Sequence, residues 1–169
     1  LWNTYIDGRS GHDTIRAVSP TNRIWGQDGN DRLQAAGLDN KLWGGSGNDR
    51  LEAMGVANRL SGGEGNDTLR GLSFDNDLIG GTGDDLIEAL GGHNEIWGEQ
   101  GGDRIVATGG VNTIRGDELK NPWRYDFSTG RSHRVPEEDG NDRIEARGGW
   151  NTIRADGGDD RVDAFGGVN

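Results

Sequence analysis

The chain has 169 residues, enough for one domain, of which only 30% are hydrophobic and 32 are glycine, and it carries a net charge of −11. Those numbers alone suggest disorder. The absence of cysteine excludes a disulfide framework, and no apolar run approaches the roughly 18 residues of a membrane span.

In chain order, the first recognisable unit is GRSGHDTIR from Gly8. GQDGNDRLQ follows from Gly26, GGSGNDRLE from Gly44, GGEGNDTLR from Gly62, GGTGDDLIE from Gly80 and GEQGGDRIV from Gly98. The starts are 18 residues apart. A fixed period decides the fold and outweighs the composition. A second nine-residue unit alternates with the first: AMGVANRLS from Ala53, ALGGHNEIW from Ala89 and ATGGVNTIR from Ala107. One unit reads G-G-x-G-x-D-x-U-x, with U a large aliphatic residue, and the other A-x-G-x-x-N-x-U-x.

The register breaks after Asp117 and resumes at Asp139. Excising the 21 residues Glu118 to Glu138 restores the period, so this segment reads as an insertion into one turn of a single domain spanning 1–169. The chain does not start with Met and both ends fall inside a repeat, which suggests a piece of a longer protein.

Three residues around each U alternate out-in-out, as in a strand. The other six are rich in Gly, Asn and Asp, residues of tight turns. Eighteen residues therefore give one coil with two strands on opposite sides, and the expected fold is all-β, a parallel β-roll of about eight coils. Two inward columns follow. One is Ile15, Leu33, Leu51, Leu69, Ile87, Ile105, Ile144 and Val162; the other is Ile6, Ile24, Leu42, Leu60, Leu78, Ile96, Ile114 and Ile153. This is a thin core, so something further must hold the turns.

Each coil also places an Asp at one edge: Asp13, Asp31, Asp49, Asp67, Asp85, Asp103, Asp142 and Asp160. Stacked at roughly 4.8 Å, like charges repel. A hard cation with oxygen ligands removes that penalty, and Ca²⁺ is the candidate. The opposite edge carries Asn22, Asn40, Asn58, Asn76, Asn94, Asn112, Asn151 and Asn169. Asn is neutral and both donates and accepts, so a stacked column satisfies itself without metal.

With these motifs in register, the chain resembles the RTX family of calcium-binding nonapeptide repeats, over all but the insertion. The resemblance implies a right-handed β-roll with ions held between coils by the Asp side chains and turn carbonyls. Eight Asp turns then imply about seven Ca²⁺ ions along one edge, whose charge would offset the net −11. A standard member of the family repeats its motif at both edges; the Asn column departs from that and leaves one edge calcium-free. The resemblance further implies type I secretion, an extracellular or cell-surface location and folding on calcium binding outside the cell. The expected role is a non-catalytic scaffold or adhesion module.

The alternative is a carbohydrate-binding accessory module like the R-modules of alginate epimerases. For it, Trp25, Trp43 and Trp97 share an outward column, interrupted by Ser61 and Ile79, and the insertion carries Trp123, Arg124 and Tyr125. The insertion reads as a β-hairpin framed by Pro122 and Pro136. Arg32, Arg50, Arg104, Arg143 and Arg161 run beside Glu52, Glu88, Glu145 and Asp163, a pattern of mutual charge compensation. Ice binding is disfavoured because the outward columns are mixed. No nucleophile–base pair, His cluster or phosphate loop appears, so no enzyme, and no nucleic-acid partner, is expected. Uncapped terminal coils are expected to stack end to end.

Overall fold

The structure is a computed structural model describing residues 3–117, 123–126, 131–134 and 140–168. Among these residues there is no helix. The strands are β1 (Asn3–Asp7), β2 (Thr14–Val18), β3 (Thr21–Asp28), β4 (Arg32–Ser46), β5 (Arg50–Glu64), β6 (Thr68–Thr82), β7 (Leu86–Gln100) and β8 (Arg104–Arg115). They are followed by β9 (Trp123–Asp126), β10 (Arg131–Arg134), β11 (Arg143–Arg154) and β12 (Arg161–Val168). All but β9 and β10 join one ten-stranded parallel sheet in the order β1-β3-β4-β5-β6-β7-β8-β11-β12, with β2 beside β4. Its register is the 18-residue period: Leu33 pairs with Leu51, Leu51 with Leu69, and Asn40 with Asn58. The fold is a β-solenoid of stacked coils.

The side-chain period of two buries one residue of each alternating pair. Both inward columns are fully enclosed through the middle coils, from Ile24 and Leu33 to Ile105 and Ile144. Alanines at 35, 53, 89, 107 and 146 fill the space between the columns. At the ends the columns open: Ile6, Ile15 and Ile153 are partly buried and Val162 is exposed.

The coil departs from two separate strands per turn in one respect. From β4 to β7 each strand runs 15 residues without a break, continuing around the Asn edge. The ladder stops only at the Asp edge, over three residues such as Gly47 to Asp49. The Asn edge stays continuous because it is hydrogen-bonded from inside. Asn22 Nδ2 donates to Asn40 Oδ1 at 2.8 Å, and the relay continues through Asn58, Asn76, Asn94 and Asn112 to Asn151 at 2.7–3.3 Å. Most of these amides also donate to a backbone carbonyl of the next coil, as Asn40 does to Met54 at 3.0 Å. Buried amides at 0–4% exposure are thus satisfied, as burial demands.

The insertion leaves this register intact. β8 pairs with β11 from Arg104↔Arg143 to Arg115↔Arg154, a separation of 39 residues, which is one period plus the 21 inserted. Within the insertion β9 and β10 form an antiparallel hairpin, with Trp123 opposite Arg134. The side chains of Trp123, Arg124 and Tyr125 lie outside the described residues.

Deleting residues 118–138 should therefore preserve the fold, because closure entropy grows only logarithmically with loop length. Circular dichroism of the shortened chain in calcium should superimpose per residue on that of the parent in its β band. Loss of cooperative folding would show that the insertion belongs to the core.

Candidate metal centre

At the Asp edge the six turns from Gly8 to Gly98 start with a glycine, pass through a residue at positive φ and end on an Asp, which is buried from Asp31 to Asp103. The positive φ falls on Gly45, Gly63 and Gly81 at 124–125°, where glycine is free of strain. Gln27, Glu99 and Asp156 adopt the same hand at φ 80°, 76° and 68°. The first glycine is required by space instead. A Cβ on Gly62 would run into Asp67 Oδ2 and stand 2.6 Å from the Gly80 carbonyl oxygen. The missing side chain leaves a cradle into which a carboxylate oxygen and a carbonyl of the next coil both face.

The carboxylates themselves are divided. Oδ1 of each Asp accepts the backbone N–H of the Asp one coil earlier, from Asp13 N–H to Asp31 at 2.7 Å through to Asp142 N–H to Asp160 at 2.9 Å. Oδ2 of Asp31, Asp49, Asp67, Asp85, Asp103 and Asp142 has no hydrogen-bond partner, although these residues are only 1–2% exposed. A buried carboxylate oxygen with nothing to accept from is costly. Five of the seven joints in the column therefore lie between carboxylates that are both buried. A second relay runs beside them in the opposite sense: Asn48 N–H donates to Asn30 Oδ1, and Asn66 N–H to Asn48 Oδ1, both at 2.8 Å. It fixes the turn without competing for Oδ2.

Burial, reinforced by neighbouring carboxylates, pushes five carboxyls of the column up from the ordinary 3.8: Asp49 to about 6, Asp85 and Asp142 to about 7, Asp67 and Asp103 to about 8. The N–H bonds to the carboxylates oppose this and do not overcome it. The charged column is under strain that either protons or a cation would relieve. Orphaned hard oxygens, adjacent carbonyls and side-chain-free cradles, repeated once per coil, match the ligand chemistry of Ca²⁺. A thiol-seeking metal would find no ligand here, and the imidazole of His12, beside Asp13, is engaged by Asn30 N–H at 2.7 Å.

The sequence of the chain matches the model of the RTX calcium-binding nonapeptide repeat in successive overlapping stretches covering residues 7–118, and again over 138–167. The chain belongs to the RTX calcium-binding repeat family. The match stops and restarts on either side of the insertion, where the strand register also closes over it. No curated protein and no solved structure matches the chain.

The structure brings the Asp column from Asp13 to Asp160 together along one edge, each member one coil from the next. Two features of this edge were not singled out from sequence. The N–H to Oδ1 relay is one, since spacing does not tell which oxygen is used internally. Asp117 is the other: it occupies the second position of its turn, where Gly45 and Gly63 stand elsewhere, and the Gly116-Asp117 pair at the register break was its only signal. The Trp column divides. Trp25 and Trp43 stack with centroids 4.8 Å apart at an interplanar angle of 5°, whereas Trp97 is nearly buried with Arg115 4.2 Å above its ring. Outward charges pair locally: Arg59 with Asp77 at 2.8 Å, Arg161 with Asp163 at 3.1 Å, Arg70 with Glu88 at 3.5 Å.

The raised carboxyls set a pH dependence whose sign is opposite to that of a salt-bridged Asp. Below about pH 4 the carboxyls are protonated in both states and the shift contributes nothing. Between there and about pH 8 the unfolded chain loses protons that the folded chain retains, so the stability of the calcium-free fold falls as pH rises. The calcium-stripped chain should show more β signal at pH 5.5 than at pH 8 by circular dichroism. Calcium binding should release protons in that window, and its affinity should increase with pH. A calcium-free chain that gained order from pH 5.5 to 8 would contradict this origin of the strain.

Proposed function

We propose that this solenoid is a non-catalytic calcium-binding module that orders when Ca²⁺ fills the Asp edge, and that it serves as a scaffold or adhesion segment of a secreted protein. The observation that carries the reading is the row of buried Oδ2 atoms without partners beside side-chain-free cradles. About seven ions, one between each pair of successive Asp turns, would be held by Asp13, Asp31, Asp49, Asp67, Asp85, Asp103, Asp142 and Asp160. The Asn edge, with its oxygens and amides already paired, would take none. Calcium-coupled ordering suits export: the chain stays unfolded where calcium is scarce and closes outside the cell. Type I secretion follows from family membership and acidity together, as a proposal.

Binding only the folded state stabilises it by mass action. The chain in chelator at pH 8 should give a largely disordered circular dichroism spectrum, and millimolar Ca²⁺ should convert it to a β-rich one. A spectrum indifferent to calcium would sink the reading. Anomalous scattering from calcium-soaked crystals should place ions along the Asp column and none between Asn40 and Asn58.

One observation favours saccharide binding as a second activity on the same scaffold. Ser61 and Ile79, which interrupt the Trp column, line a cleft of about 560 Å³, one coil from Trp43 on one side and from Trp97 on the other. Glu64, Thr82, Glu99 and Gln100 line it. The flat face of Trp43, one coil from this polar lining, suits a sugar ring, and the acids favour neutral over anionic glycans. On a glycan array with calcium present, neutral oligosaccharides should bind, and Trp43→Ala should weaken them on the order of three- to tenfold. A blank array would leave the scaffold role alone.

A further inference from the structure

One place on the Asp edge differs in kind from the others. Asp117, Asp142 and Asp160 each offer one carboxylate oxygen, and the three oxygens lie within 4.8 Å of one another. Among the described residues this is the one such group. Asp142 and Asp160 belong to the regular column. Asp117 enters from the second position of the turn, where the middle coils have glycine and contribute no side chain.

A cluster of acids is by itself a repulsive arrangement, but a second observation points to a ligand. Asp142 is 2% exposed, its Oδ1 is engaged by Asp103 N–H at 2.8 Å, and its Oδ2 has no hydrogen-bond partner. That oxygen faces the cradle left by Gly116, where the Ala155 carbonyl oxygen of the next coil also stands. Asp117 is buried to 1% exposure. The neighbouring turns add charge at the same second position: Glu99 and Asp156 stand there with φ of 76° and 68°. Non-glycine residues in that conformation are strained. At the other end Arg9 and Gln27 tolerate it too, so strain alone does not select acids; the carboxylates gather only around the insertion.

The position has a structural consequence. Asp117 is the last residue before the insertion, and Asp142 follows it closely on the return. Gly140 N–H already donates to Asp117 Oδ1 at 2.8 Å, joining the two sides of the insertion's neck. A cation bound by Asp117, Asp142 and Asp160 would tie the entering strand, the returning strand and the next coil to one point.

We propose that Asp117, Asp142 and Asp160 form a three-carboxylate site for a calcium-sized divalent cation at the neck of the insertion, and that it fills before the two-carboxylate sites of the regular coils. The proposal rests on calcium binding along the Asp edge and adds to it an order of filling and a residue, Asp117, outside the repeat motif. Ligand charge count is a principal determinant of calcium affinity at oxygen sites, so a third carboxylate strengthens this site.

The test is calorimetric titration of the full chain with Ca²⁺, followed in parallel by circular dichroism. The wild-type chain should show about one tight equivalent ahead of the rest. Asp117→Asn, which keeps an acceptor for Gly140 N–H, should weaken that equivalent on the order of tenfold and leave the spectrum at saturating calcium unchanged. Asp67→Asn should spare the tight equivalent and weaken later ones. If Asp117→Asn alters folding at saturating calcium, Asp117→Glu decides: a retained tight equivalent supports the site, and its loss overturns it. An Asp117→Asn isotherm superimposing on the wild type overturns the proposal while leaving calcium binding in place. A wild-type chain that takes up no calcium overturns the underlying reading instead.

Discussion

Like charge buried at the coil spacing is the constraint on which the rest of this molecule depends. The backbone ladder fixes the distance between successive coils at roughly 4.8 Å, and the solenoid has no freedom to relax it. Any side chain repeated once per coil must therefore tolerate its own image above and below. The aliphatic columns do so by packing. The Asp column does so only in part: Oδ1 is matched to a backbone N–H, and Oδ2 is left facing another oxygen. Asp67 and Asp103 accordingly hold their protons far above the ordinary range. The turn glycines, the cradle and the convergent carbonyl are consequences of making room at that atom.

The opposite edge is the control that the molecule itself supplies. Asn and Asp differ by exchanging an oxygen for an NH₂ group, and that exchange alone converts repulsion into a relay. Each Asn donates to the oxygen of the next, so the column is self-complementary at the same spacing that defeats Asp. The strands run unbroken around the Asn edge and stop at the Asp edge. Hydrogen bonds close one edge from within; at the other each buried coil leaves a carboxylate oxygen unmatched.

Much of this was legible in the sequence because a repeat reports its own register. Leu33, Leu51 and Leu69 recur every 18 residues, and recurrence at a fixed period means stacking whatever the local propensities. The excision of 118–138 was legible for the same reason, since Arg143 pairs with Arg104 once the phase is restored. What could not be read was anything set by orientation within a column. Adjacency in the outward column made a stack of Trp25 on Trp43 legible; that Trp97 lies nearly buried beneath Arg115 was not, because it turns on the rotamers of both. The division of each carboxylate between a structural oxygen and a free one is likewise a matter of rotamer. The approach of Asp117 to Asp142 and Asp160 was not legible either, because it depends on how the turn closes over the insertion.

The place where the repeat is interrupted follows from the same physics. An insertion within a strand would remove ladder bonds on both sides and expose the aliphatic columns. Placed at the Asn edge, it would break the amide relay. At the Asp edge the ladder is already interrupted for three residues per coil, so the chain can leave and return there with the pairing of β8 and β11 undisturbed. That edge also carries the buried Asp column, and the insertion departs from it beside Glu99, Asp117 and Asp156. Among the described residues, an excursion thus costs the scaffold least at the edge that carries the buried carboxylates. Whatever the hairpin of β9 and β10 presents is therefore carried on the edge where Asp117 and Asp142 lie buried.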